Sequence, residues 1–103
     1  MPKTKMFIKI HKSLRTVVAI CDSDLIGKKF EDKKRQLHLR ENFYKDKEFD
    51  KIKMIEIMQG QKMEDASFNI VGKESVQTAL EAGIIKKEGI HKVKGIPFAL
   101  ILL

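Results

Sequence analysis

The sequence predicts an α+β fold: a single small domain with a mixed or antiparallel sheet of five to six short strands and two main helices. Three observations predict it. The chain has 103 residues, room for one modest hydrophobic core and not for two. Strand-like stretches cluster at both ends with helix-like stretches between them, the order of an α+β chain rather than of repeated βαβ units. The helical stretches are bounded by capping residues and glycine stops, which limits each to about ten residues.

Met1–Lys5 reads as a basic tail, which leaves residues 6–103 as the domain. Met6–His11 alternates apolar and polar residues, as a strand with one buried face does. Thr16–Cys21 is an unbroken, β-branched-rich run, suited to a strand covered on both faces and joined to the first through Ser13–Arg15. Asp22 and Ser23 can cap a short helical turn that ends at Gly27. Phe30 anchors the next segment, and Gln36–Arg40 alternates with Leu37 and Leu39 inward. Glu41–Phe49 is a charged connection in which Phe43, Tyr44 and Phe49 serve as packing pegs.

Asp50 is placed to cap a helix that runs to about Gln59, burying Ile52, Ile55 and Met58 and stopping at Gly60. Gln61–Ser67 matches no pattern. Phe68–Val71 fits a short strand or the entry to the next helix, and Gly72 breaks the chain. Lys73–Ala82 carries Val76, Ala79 and Leu80 at helical spacing, with Gly83 at the favoured stop position. Ile90–Lys94 and Pro97–Leu103 read as a hairpin bent at Gly95-Ile96-Pro97. Its last strand is apolar on both faces and belongs near the middle of the sheet.

Charge supplies the main hint of a partner. The net charge is +7, with 13 basic against 8 acidic residues in positions 1–50 and 8 against 6 in 51–103. Lys28, Lys29, Lys33, Lys34, Arg35 and Arg40 face only Glu31 and Asp32 within thirteen residues. Such a run attracts polyanions such as RNA or a ribonucleoprotein; its plainer reading is a solvated, edge-protecting face. Single-strand binders add aromatic platforms, and near this run the sequence offers Phe43 and Tyr44.

Other chemistries find little support. Cys21 is the single cysteine, so no disulfide forms within the chain and a reducing, cytoplasmic setting is expected. The most apolar segment, Ile96–Leu103, falls far short of the ~20 residues of a membrane-spanning helix. His11, His38 and His91 do not pair at ligand spacing, so no metal is expected. No phosphate-loop motif occurs, and no cofactor is expected. Val71-Gly72-Lys73-Glu74-Ser75 has the outline of an anion-binding helix start, but Glu74 would repel a phosphate there.

Six segments matter together: Met6-Phe7-Ile8-Lys9-Ile10, Val18-Ala19-Ile20-Cys21-Asp22, Leu25-Ile26-Gly27-Lys28-Lys29-Phe30, Asn69-Ile70-Val71-Gly72-Lys73-Glu74, Ala79-Leu80-Glu81-Ala82-Gly83 and Gly95-Ile96-Pro97. In this order and spacing they resemble the DUF424 family, small archaeal proteins of unknown function, from Met6 to Leu103. The positions that carry the likeness include Cys21, Asp22, Gly27, Phe30, Asn69, Gly72, Gly83, Gly95 and Pro97. The resemblance implies a cytosolic archaeal protein loosely tied to translation and RNA handling, with no catalytic mechanism to carry over. Relatives commonly place His directly after the Gly-x-Pro, where this chain has Phe98. Relatives are also often more acidic, so the basic run is particular to this chain.

The expectation is therefore a non-catalytic module that binds RNA or a ribonucleoprotein through the six cations. The alternatives are a protein–protein adaptor using exposed apolar surface near Phe43, Tyr44 and Phe49 or a free strand edge, and a small enzyme with a pocket near Cys21, Asp22 and Asn69.

Overall fold

The computed structural model describes residues 5–102; most of the expected basic tail and Leu103 lie outside them. Eight strands form: β1 (Met6–His11), β2 (Val17–Asp22), β3 (Lys29–Glu31), β4 (Gln36–His38), β5 (Lys47–Phe49), β6 (Ser67–Val71), β7 (His91–Val93) and β8 (Ile96–Ile101). Six build one sheet in the order β5-β1-β2-β6-β8-β7, and β3 and β4 pair separately. Only β2 and β6 run parallel; the other pairs are antiparallel. The sheet is mixed and the class is α+β, as the sequence predicts.

The helices are α1 (Glu41–Tyr44), α2 (Lys51–Met63) and α3 (Lys73–Glu81). The two long ones cover one face of the sheet. Met54, Met58, Val76 and Ala79 meet Met6, Ile8, Val18, Ile20, Phe68, Ile70 and Ala99 there, all buried. The other face carries a thinner layer, made of the β3–β4 hairpin, α1 and the turn at Ser23–Leu25. Leu25, Leu39 and Tyr44 close over Ala19, Cys21 and Val71. Successive strand residues point to opposite faces, so one strand feeds both layers.

Helix α2 departs from the expected bounds. Asp50 caps it, its carboxylate accepting the Lys53 N–H at 3.1 Å, but the helix passes through Gly60 to Met63. Its buried stripe is Met54 and Met58, while Ile52 is 81% exposed. An interior glycine costs about 1 kcal/mol relative to Ala, and full burial of one such methionine gains about 1.5–3 kcal/mol. Packing therefore outweighs the glycine. Glu41–Phe49, expected as a plain connection, holds both α1 and the edge strand β5.

The end of β2 anchors α3. The Asp22 carboxylate, buried, accepts the backbone N–H of Glu74 at 3.1 Å and of Ser75 at 2.8 Å, and the Ser75 hydroxyl at 2.7 Å. Asp22 thus caps a helix that starts some fifty residues later, rather than the adjacent turn, which has no side-chain cap. Gly72 makes this possible. Its φ is +113°, and a Cβ there would stand 2.3 Å from the Asp22 Cγ.

Gly72→Ala must break this contact and hold an L-residue in a conformation glycine favours, at an expected cost of about 3 kcal/mol. Asp22→Ala leaves three donors without their acceptor and should cost about 2–3 kcal/mol. Asp24→Ala, on an exposed residue, should stay within about 0.5 kcal/mol. Urea denaturation of the three variants measures the order.

Candidate functional site

The thin layer does not cover its whole face. A cleft of about 790 Å³ opens between the β4–α1 segment and β8, lined by His11, Arg35, Gln36, Leu37, His38, Arg40, Asn42, Phe43, Tyr44, Asn69, Phe98 and Leu100. The lining is drawn from β1, β4, α1, β6 and β8 and the short segments beside them. It holds two guanidinium groups, two imidazoles and three carboxamides, and no carboxylate.

Hydrogen bonds fix what several of these groups present. His11 Nε2 lies 2.8 Å from the Phe43 carbonyl oxygen; the oxygen only accepts, so Nε2 carries the proton. The His11 and Phe43 rings stack at 4.5 Å. Arg40 Nε donates to His38 Nδ1 at 3.2 Å, which puts the His38 proton on Nε2 when the ring is neutral. The Arg35 guanidinium reaches over the Phe98 ring, 5.7 Å from its centroid. At the floor, the Tyr44 hydroxyl donates to Asn69 Oδ1 at 3.1 Å.

Of the six basic-run residues, the structure brings Arg35 and Arg40 into this cleft. Lys28, Lys29, Lys33 and Lys34 are exposed on or beside the β3–β4 hairpin and do not line it. The hairpin tip is tied by Asp32, whose carboxylate accepts the N–H groups of Lys34 and Arg35, each at 2.8 Å. Those bonds hold its carboxyl below the usual range, and the charges of Arg35 and Lys94 add to the effect. Lys94, in the β7–β8 turn, therefore joins the cationic rim. The ion pairs seen among the described residues, Lys51 with Glu81 and Lys53 with Glu56, lie on α2 and α3, so the carboxylate that bears on this run is that of Asp32.

The remaining singled-out residues divide by role. Phe30 is half-buried in the thin layer. Gly27, Gly83 and Gly95 sit in turns with positive φ, and Gly95 follows Lys94 in the β7–β8 turn. Pro97, buried, accepts the Gly72 N–H at 2.8 Å. Sequence reasoning missed His11, Asn42 and Phe98 as site residues and placed Asn69 by resemblance and in a pocket with Cys21 and Asp22 rather than in this cleft. A polar residue between Phe68 and Ile70 in an otherwise apolar strand was the available signal for Asn69.

The pocket expected for an enzyme does not form. Cys21 and Asp22 are neighbours on β2 and point to opposite faces, Cys21 into the thin layer and Asp22 to the start of α3. Cys21 is fully buried, and burial, then the charges of Asp22 and Asp24, pushes its thiol up to about 12. A thiol so protonated is no nucleophile near neutral pH. Asn69 lines the cleft without them. No group of three or more His, Cys, Asp or Glu residues placed to hold a metal occurs among the described residues. The adaptor surface is also not as expected: Tyr44 is buried, and Phe43 and Phe49 are half-buried against the two layers.

The comparisons with known proteins bear on the fold. The model of a family described as protein of unknown function, DUF424, matches residues 10–103. The chain belongs to this family. A similar fold is seen in the crystal structure of an uncharacterized conserved protein from Methanopyrus kandleri, 24% identical, covering 94% of this chain and 90% of that one with a TM-score of 0.84. None of the curated proteins matches. No helix among the described residues is long and apolar enough to cross a membrane.

The buried thiol yields a direct check. Cys21 should react with a thiol reagent at least ~100-fold more slowly in the folded protein than in denaturant. Burial raises the Tyr44 hydroxyl in the same direction. Both groups are held neutral above their unfolded values, so their contribution is complete below the ordinary thiol value of 9.0 and is lost as pH climbs toward 12. Stability by urea denaturation should fall through that window, and less steeply in Cys21→Ala.

Proposed function

We propose that the chain is a non-catalytic module that binds single-stranded RNA, free or in a ribonucleoprotein, through the cleft between β4–α1 and β8. The observation that carries this reading is the lining itself, with Arg35 and Arg40 converging in a concavity that contains no carboxylate. Arginine suits such a site because its planar fork bonds phosphate oxygens in pairs and stacks on ring faces.

The aromatic groups favour a nucleic acid over a simple anion. Phe43 stacked on His11, and Phe98 under Arg35, put ring and guanidinium planes beside the cations. Single strands are held in this way, by backbone contacts to cations and bases laid on aromatic or arginine planes. The size agrees: 790 Å³ is within the range of about 300–1,000 Å³ that encloses small ligands, enough for splayed nucleotides. Lys33, Lys34 and Lys94 on the two hairpin tips would extend the phosphate path beyond the cleft. A cytoplasmic, archaeal setting belongs to the same reading, supported by the free buried thiol and by the Methanopyrus likeness.

Fluorescence anisotropy with a short mixed-sequence single-stranded RNA tests the proposal. Between about 50 and 200 mM salt, log K should fall linearly with log salt, by about 0.7 per phosphate contacted. Arg35→Ala with Arg40→Ala should reduce that slope by about 1.4, while Lys51→Ala with Lys53→Ala on α2 leaves it unchanged. Absence of binding at low salt, or a slope indifferent to the cleft arginines, overturns the reading.

A further inference from the structure

We infer that the cleft reads the bases it holds, accepting keto bases (uracil and guanine) over amino bases (cytosine and adenine), with Asn69 as the reading group. The inference rests on the RNA-binding reading above and adds specificity to it.

The argument starts from one half-buried carboxamide. Asn69 lies mid-strand on β6, paired to Ala19 of β2 and to Leu100 of β8. A carboxamide can offer two donors and accept at its oxygen. Here the oxygen is engaged by the Tyr44 hydroxyl at 3.1 Å. That hydroxyl is itself buried and held neutral by its surroundings, so it stays protonated and can donate to the amide oxygen. The Asn69 Nδ2 has no partner among the described residues, and the side chain lines the cleft. The floor therefore presents N–H donors.

Bases differ at the group such a floor would meet. Uracil carries a carbonyl oxygen at position 4 and guanine one at position 6, both acceptors. Cytosine and adenine carry amino groups at the same places, both donors. The Nδ2 donor pairs with the first two and confronts the others donor to donor. A donor left unpaired in a partly closed site costs more than the bond it forgoes. The other groups of known orientation agree. Arg35 and Arg40 are donor-only, and Leu100, 52% exposed beside Asn69, offers apolar contact to a base face.

Uracil and cytosine differ at this group and at the adjoining ring nitrogen, so oligo(U) and oligo(C) of equal length give the test. The native protein should bind oligo(U) about tenfold more tightly. Asn69→Asp places a carboxylate oxygen where the amide donor stood and should lower affinity for both while reversing the preference toward oligo(C). Circular dichroism confirms that the variant is folded, and the native ratio stands as a test without it. Equal affinity for the two oligomers, with Arg35 and Arg40 still required, overturns base reading and leaves RNA binding standing. A preference that survives Asn69→Asp unchanged removes Asn69 as the reading group. Failure of the native protein to bind either oligomer or any mixed-sequence RNA overturns both proposals.

Discussion

The contact between the Asp22 carboxylate and the first turn of α3 orders much of the molecule. Asp22 ends β2 and Gly72 follows β6, and these two strands form the one parallel pair in the sheet. Parallel neighbours end side by side, so a carboxylate on one can reach the helix that begins after the other. The helix start offers free N–H groups and a positive dipole end, and the carboxylate supplies the charge both favour. Burial makes the arrangement selective, since removing either partner leaves polar groups without water. The third requirement is empty space at Gly72, where any side chain would displace the carboxylate.

This contact also decides where an external anion can bind. The α3 N-terminus, which the sequence outline suggests as a phosphate site, already holds an anion of the chain's own. What remains for a ligand lies on the opposite face, where side chains rather than backbone amides supply the positive charge. The contact holds α3 to the face it shares with α2, and the other face receives a hairpin of three-residue strands, the short helix α1 and the turn at Ser23–Leu25. That layer is wide enough to bury Cys21 and Val71 and too narrow to reach Leu100. The cleft is the uncovered remainder.

The sequence signalled what depends on near neighbours along the chain. Strands β1, β2 and β8, the helix α3 and the Asp50 cap all follow from periodicity or from capping chemistry, but β8 lies beside the edge strand β7 rather than near the middle of the sheet, and Leu100 on one of its apolar faces is exposed. The three-residue strands β3 and β5 were hidden because a run that short has no period to detect; pairing partners elsewhere create them. Helix α2 overran Gly60 because its buried methionines outweigh a local propensity. The Asp22 cap was read as local for the same reason, since its true partners lie half the chain away. The cleft was legible only in part. Arg35 and Arg40 belonged to a visible basic run, but nothing along the chain joins them to His11, Asn69 and Phe98.

The cleft is rich in donors. Arg35, Arg40, the Asn69 amide and the neutral His38 Nε2 all donate, and three of the acceptors beside them are already in use. The Phe43 carbonyl takes His11, His38 Nδ1 takes Arg40, and Asn69 Oδ1 takes Tyr44. A concavity with many donors and no carboxylate stays hydrated until an acceptor-rich partner displaces the water. Phosphates and keto bases are such partners, and the neighbouring rings supply the apolar contact that water does not. Its hydrogen-bond donors, more than the count of lysines on the hairpin, support this face as the proposed binding surface.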